Sequence, residues 1–262
     1  MFDLWVKEGG RTMKKKLALC IGVGLIICLF YMYISFQGNF LSKIIIQYKS
    51  LDYVEERFPT KDYEFKDVIY NFKDGYYYAR YQSPTMQDEY FSLAYHWYGN
   101  FIQDDYENVV NKWNTWSRLE MQYRKYVELV LQKEEPYHDI RYGTLKSLDD
   151  MSQKEKDEMI LNKEYDISEL GKKYGSIVYY VNDQQVNIDK VCEYLMKIKK
   201  SFDQNNVTFY SIDFVLENKN NDERLELISF LYKDIDKDGF KKKVQENIEK
   251  TKDYYKQLEK QK

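Results

Sequence analysis

Residues 70 to 82 read YNFKDGYYYARYQ, five tyrosines in thirteen positions. Apolar side chains alternate on both sides of Asp74-Gly75, a dipeptide that favours a two-residue hairpin turn. Such a turn pairs Lys73 with Tyr76, Phe72 with Tyr77, Tyr70 with Ala79 and Val68 with Tyr81. One face then holds Val68, Tyr70, Phe72, Tyr77, Ala79 and Tyr81. The other holds Ile69, Asn71, Lys73, Tyr76, Tyr78 and Arg80. A three-residue loop over Lys73, Asp74 and Gly75 would put Arg80 on the Val68 face, where a buried guanidinium is expensive. The two-residue turn is the better reading. It leaves Tyr76, Tyr78, Lys73 and Arg80 as a candidate contact surface, because tyrosine suits a surface that is both apolar and wet.

Working outward, Phe91, Leu93, Tyr95 and Trp97 alternate with Tyr90, Ser92, Ala94 and His96, which predicts a third strand with the odd positions inward. Upstream, SKIIIQYKSLDYVEERF at 42–58 predicts a helix. Ser42 caps it, Ile44, Ile45, Tyr48, Leu51 and Val54 form its stripe, and Pro59 ends it. Downstream, a turn at Gly99-Asn100 leads to a long helix from about Asp105 to Glu134, halted before Pro136. Its stripe is Val109, Trp113, Trp116, Leu119, Tyr123, Val127 and Val130. At this helical spacing Trp113, Trp116 and Tyr123 read as core rather than as an aromatic groove.

Helix, meander and helix together predict an N-terminal α+β domain over 35–135. A polar connecting segment over 136–163 follows. Residues 164–262 then read as one or two short helices capped at Asp166 and stopped at Gly175. After these come a strand at 176–182, a helix capped by Asn187, two strands joined across 218–223, and a last helix carrying Phe240, Val244, Ile248, Tyr255 and Leu258. This C-terminal half is β-α-β-β-α. The fold class is therefore an α+β ectodomain behind one N-terminal transmembrane helix.

That transmembrane helix is LALCIGVGLIICLFYMYI, residues 17–34, eighteen residues without a charge. At 1.5 Å per residue it extends roughly 27 Å, about one hydrocarbon core. Its exit, Tyr33 to Gly38, has bulky residues where a signal-peptide cleavage site needs small ones, so an uncleaved anchor is expected. Lys7, Arg11, Lys14, Lys15 and Lys16 precede it and keep residues 1–16 as a cytoplasmic head, whether translation begins at Met1 or Met13. Residues 35–262 are then extracytoplasmic and the plasma membrane is the expected location.

Residues 1–34 carry five cations and two acids, a net of +3; the whole chain is −3, which leaves −6 for the remainder. An acidic ectodomain argues against nucleic-acid partners and against binding to anionic lipid, both of which want a basic face. Of the three cysteines, Cys20 and Cys28 lie in the anchor and neither sits in a lipobox. Cys192 stands alone outside it and reads as inert, so stability must come from packing.

The sharpest motif is DIDKDG, Asp234 to Gly239. Asp234, Asp236 and Asp238 copy the first carboxylates of an EF-hand loop, but Gln245 stands where its bidentate acid belongs. A strand-to-helix turn with Asp238 as a capping acid is the simpler reading, and no metal or other cofactor is expected. His96 and His138 have no metal-ligand spacing. Asp104-Asp105, Glu134-Glu135 and Asp149-Asp150 read as solvated charge. No nucleophile motif occurs, which argues against an enzyme.

The order MKKK, apolar span, SFQGNFLSK, YVEERFPTKDYEFKDVIYNFKDGYYYARYQS, YDISELGKKYG and FYSIDFVLE resembles the YfjL-like proteins. The resemblance implies an uncharacterised, membrane-anchored protein of Gram-positive bacteria with a two-part ectodomain, and no activity. It departs in the YYYARY and AYHWYGN region. The helix-plus-meander also looks like a cystatin-like or PepSY-like plan, at the level of fold alone. These readings lead to a non-enzymatic binding module of the cell envelope, with a peptide, a protein or a wall component as partner. The alternative is a membrane-tethered hydrolase of wall material built on carboxylates.

Overall fold

The structure, a computed structural model, describes residues 2–132 and 141–260, with side chains from Leu19 onward. It is α+β, in two compact units that divide between Asn111 and Lys112. His138, the Glu134-Glu135 pair, Pro136 and the start of the expected connecting segment lie outside the described residues.

The first unit begins with helix α1 (Phe2–Gln37) and helix α2 (Phe40–Arg57). From Leu19 on, the apolar side chains of α1 are exposed, among them Leu25, Ile26, Leu29 and Phe30. One eighteen-residue window has a mean hydropathy of 2.3 and none of it is buried, long and apolar enough to cross a membrane. Composition and length are those of a membrane anchor or a signal sequence.

Gly38 breaks the helix with a positive φ of 76°. Here the chain passes so close to the sheet that a Cβ would stand 2.6 Å from Tyr70 Cβ and 2.8 Å from Tyr77 Cε1. Only glycine combines that conformation with that approach. Asn39, not Ser42, then caps α2, its Oδ1 accepting from the Leu41 amide at 2.9 Å.

Strands β1 (Glu64–Asn71), β2 (Tyr76–Gln82), β3 (Tyr90–Tyr95) and β4 (Phe101–Asp104) form an antiparallel sheet in sequential order. The hairpin register differs from the expected one by two residues: Asn71 pairs with Tyr76, Tyr70 with Tyr77 and Val68 with Ala79. The turn is four residues long, closed by the Gly75 amide donating to the Asn71 carbonyl at 2.8 Å. Side chains favour this longer turn. The Asp74 carboxylate accepts from the Tyr76 amide at 2.9 Å, from Asn71 Nδ2 at 2.6 Å and from the Tyr78 hydroxyl at 2.8 Å. Because strand side chains repeat every two residues, a two-residue shift keeps every one on its expected face. Val68, Tyr77, Ala79 and Tyr81 are buried; Phe72, now in the turn, is exposed. Trp97 is also exposed, since β3 ends at Tyr95.

Helix α2 covers the inner face of this sheet with Ile46 and Val54. Of the expected stripe, Val54 is buried and Leu51 packs against the core, whereas Ile44, Ile45 and Tyr48 are exposed and Ser42, Ile46 and Ser50 take the inward positions. Ser50 is inward because its hydroxyl meets that of Tyr81 at 2.8 Å.

The expected helix from Asp105 to Glu134 is broken. A short α3 (Glu107–Val110) ends the first unit, Lys112 takes a positive φ of 64°, and α4 (Trp113–Leu131) begins the second. Helix α4 thus leaves the expected domain of 35–135, because Leu119, Tyr123, Val127 and Val130 pack into the second core. What read as a polar joint supplies β5 (Arg141–Leu145), paired antiparallel to β6 (Gly175–Asn182). Between them lie a 3-10 turn at Leu148–Asp150 and helices α5 (Gln153–Glu158) and α6 (Ile167–Tyr174). Helix α7 (Ile188–Gln204), capped by Asn187, crosses to β7 (Ser211–Asn218), which runs parallel to β6. Strand β8 (Glu223–Leu231) and helix α8 (Phe240–Glu259) complete the unit. Val244 and Ile248 of α8 are buried, whereas Tyr255 and Leu258 of the expected stripe are exposed.

Gly38→Ala combines left-handed strain with a clash, together about 3 kcal/mol. A melting curve should show the transition of the N-terminal unit roughly 10 °C lower. An unchanged midpoint would contradict the close approach at Gly38.

Candidate functional site

The tyrosine surface expected from the sequence is largely engaged with itself. The Tyr78 hydroxyl is held by Asp74, and burial together with that bond pushes its pKa up to about 12. Arg80 makes two bonds of 2.6 Å to Asp67, which hold the Asp67 carboxyl below its ordinary range. Tyr76 stands edge-on to His96 at 5.3 Å, and His96 stacks on Tyr98 at 5.5 Å. Lys73 is exposed in the turn.

Asp234, Asp236 and Asp238 are not gathered together in the structure. Asp234 lies in a 3-10 turn with its carboxylate on Lys243 Nζ at 2.6 Å, and Asp236 lines a shallow hollow with Lys199, Lys200 and Asp203. Among the described residues no three His, Cys, Asp or Glu side chains gather as metal ligands. Gly239, not Asp238, occupies the cap of α8. Cys192 is half-buried, and burial pushes its thiol pKa up, away from the reactive thiolate. Asp104 is taken up by Tyr53, whose hydroxyl donates to it at 2.5 Å; burial, then that bond, pushes the Tyr53 pKa up to about 12. Asp149 and Asp150 are exposed.

The second unit holds a cleft of about 820 Å³, within the range of small-ligand and peptide sites. Its floor is apolar. Trp116 and Leu119 come from α4, Met151 and Met159 from the segment after β5, and Leu170 from α6. Tyr165, Tyr174 and Tyr210 stand around it, and Lys163, Lys172, Lys173, Glu155 and Glu158 form a rim of both signs.

Packing fixes each wall. Trp116 donates its indole N–H to the Lys146 carbonyl at 3.0 Å and meets Tyr174 edge-on at 5.5 Å. The wall at 160–165 is strapped to α4: Arg118 reaches Glu164 at 3.1 Å and the Lys163 carbonyl at 2.9 Å, and the Asn162 amide donates to Thr115 at 3.0 Å. The Ile160 amide donates to the Tyr165 hydroxyl at 2.9 Å, which fixes that ring. On the other side α6 sits hard against α4, because a Cβ at Gly171 would stand 2.5 Å from the Tyr123 ring.

Electrostatics on the rim are local. The Ser152 amide, then its hydroxyl, hold the Glu155 carboxyl below its ordinary value in a capping box at α5. The Tyr174 hydroxyl holds the Lys173 ammonium above its own. Lys163 and Lys173 lie over the Tyr165 and Tyr174 rings at 5.1 and 4.7 Å.

Sequence reasoning placed Trp116 correctly in the core and missed its second role as cleft floor. Met151, Met159, Tyr165, Tyr174 and Tyr210 were not singled out at all. The available signal was MSQKEKDEMILNKEY, 151–165, where apolar residues punctuate a charged stretch that a bare connector does not need.

Fold and site define a class: a two-unit α+β protein behind an apolar helix, with an open apolar cleft in the second unit. Its parts match known domains in order, a YfjL-like N-terminal domain at residues 13–106 and a YfjL-like C-terminal domain at residues 122–245. The chain belongs to the YfjL-like family. No curated protein and no solved structure matches it.

Burial raises the pKa of Tyr63, Tyr95, Tyr123, Tyr194 and Tyr232 above the ordinary phenol value, as it does for Tyr53. A folded pKa above the unfolded one, about 10, gives stability that is present below pH 10 and lost as pH rises beyond it. An alkaline titration followed by phenolate absorbance should show a subset of the 27 tyrosines ionising only as the fold is lost. A single wave complete before any loss of circular dichroism would contradict this burial pattern.

Proposed function

We propose that this chain is a single-pass, membrane-anchored extracytoplasmic protein whose C-terminal domain binds an extended amphipathic peptide or protein segment of the cell envelope. Helix α1 is the anchor. The cleft carries the reading: an apolar floor for side chains, with cations and anions on the rim for backbone and charged groups. The positive N-terminal segment retains residues 1–16 in the cytoplasm.

The carboxylates around the cleft favour the second reading, a carboxylate-based hydrolase. Against it, these groups already have structural partners. Glu155 closes the capping box with Ser152, Glu164 meets Arg118, and Asp166 caps α6 through the Ser168 and Glu169 amides. Glu169 and Glu158 are exposed, with only loose surface pairs to Lys172 at 3.6 Å and Lys154 at 4.0 Å. A general acid or nucleophile needs a carboxyl free to exchange its proton or attack. Binding is the better fit.

The test uses the full chain in detergent, presented with an amphipathic peptide library and with soluble wall fragments. Tyr210 is exposed on the cleft wall, so Tyr210→Lys changes the site without touching the core. Selected peptides should bind the native chain and weaken about tenfold on the variant, roughly 1.4 kcal/mol. Turnover of wall fragments would favour the hydrolase. Peptide binding indifferent to Tyr210→Lys would remove the cleft from the account.

A further inference from the structure

One end of the first sheet gathers large apolar side chains that the sheet does not bury. The turn between β1 and β2 lies at this end, since Asn71–Tyr76 is the last pair of that hairpin. The turn between β3 and β4 lies there too, since Tyr77 is opposite Tyr95. Phe40, Phe72, Trp97 and Tyr98 are exposed at 72%, 55%, 63% and 46%. Gly99 of the second turn rests on α2, where a Cβ would stand 2.9 Å from Ile45 Cγ2, so the apolar surface continues onto exposed Ile44 and Ile45.

This is also the end at which α1 arrives. Phe36 of α1 meets Phe72 edge-on with ring centroids 5.5 Å apart. Phe36 stands two residues past Ile34, where the apolar run gives way to Ser35 and Gln37, about 3 Å along a helix axis. The headgroup layer on each side of a bilayer is roughly 5–7 Å deep, from a hydrocarbon core of about 30 Å in a total of about 40–45 Å. Phe72 therefore lies within reach of that layer, as do side chains on the same end of the sheet. Tryptophan and tyrosine concentrate in this layer, their apolar rings in the acyl boundary and polar atoms among the headgroups. Lys49 and Lys73 are exposed beside the patch, and Asp74 shares the turn with Lys73, so the contact rests on the apolar rings and not on charge.

We propose that this end of the N-terminal domain is seated in the interfacial layer of the bilayer that α1 crosses, with Phe40, Phe72 and Trp97 as the inserted side chains. The proposal rests on the reading of α1 as a membrane anchor. The occupant is lipid because the patch is continuous, through the Phe36–Phe72 contact, with the apolar surface of α1. The anchor then fixes the height of the domain as well as its location, and the outer end of the sheet faces away from the membrane.

The test reconstitutes the full chain in phosphatidylcholine–phosphatidylglycerol vesicles brominated near the carbonyl end of the acyl chains. Bromine quenches an indole only at close range, and the difference between the native chain and Trp97→Phe isolates Trp97 emission. Flotation with the vesicles after an alkaline wash reports insertion of α1 independently. Flotation with loss of most of the Trp97 emission, relative to unbrominated vesicles, supports the seat. Flotation with Trp97 emission intact overturns the seat and leaves the anchor standing. Shielding by a second copy gives this same intact emission, with a dimer on cross-linking in dilute vesicles. Failure to float overturns the anchor itself, and the seat with it.

Discussion

The amide of Asn39 donates to the Tyr77 hydroxyl at 2.7 Å, and the N-terminal unit is organised around that bond. Tyr77 belongs to the inner face of the sheet, and Asn39 caps the helix that covers this face. One side chain therefore ties the end of the apolar helix, the start of α2 and the first strand pair. The approach is possible because Gly38 has no Cβ, and it is repeated further along when Ser50 meets the Tyr81 hydroxyl. Two tyrosines of the same strand thus grip α2 at points eleven residues apart, about 16 Å along its axis. Tyrosine is better suited than phenylalanine here, because a helix end brings an unpaired amide that needs an acceptor.

Period-two patterning is why so much of this sheet was legible. Alternation says which side chains go inward without saying how long a turn is, and the inner face of β2 was read correctly from a turn that was two residues too short. The extra turn residues were set by Asp74, whose carboxylate serves three donors and needs a wider loop to do so. Helix α2 was harder. Its sequence offers two stripes, and the more apolar one, with Ile44, Ile45 and Tyr48, faces outward. A mixed stripe of Ser42, Ile46, Ser50 and Val54 faces inward, and Ser50 belongs to it because the Tyr81 hydroxyl needs a partner. Propensity and hydrophobicity alone do not contain that preference. The break at Lys112 was missed because an apolar stripe continues through it, from buried Val109 in α3 to the α4 residues that enter the second core.

The C-terminal unit shows the limit from the other direction. Strands β6 to β8 and helices α7 and α8 were visible as patterns, whereas β5 is short and carries Gly143 where a Cβ would strike Val127. The cleft draws on five separate segments, from Trp116 to Tyr210, and no spacing rule joins them. What the sequence did convey was the lack of a catalytic motif and the lone Cys192. Both are consistent with a binding surface stabilised by packing, in a unit where Tyr123 alone contacts Gly171, Gly175 and, through its hydroxyl, the Thr208 carbonyl.

The close approach at Gly38 and the Asn39–Tyr77 bond give the first sheet a defined position on the apolar helix, in contrast to a domain on a loose tether. The decisive quantity is the distance between helix and sheet. With Cys20, Cys28 and Cys192 replaced by serine, spin labels at Tyr33 and Ile69, both exposed, can be measured by pulsed electron resonance in the reconstituted full chain. A rigid junction at Gly38 and Asn39 predicts one narrow distance distribution. A broad distribution, spanning the range open to a flexible linker, would contradict the account.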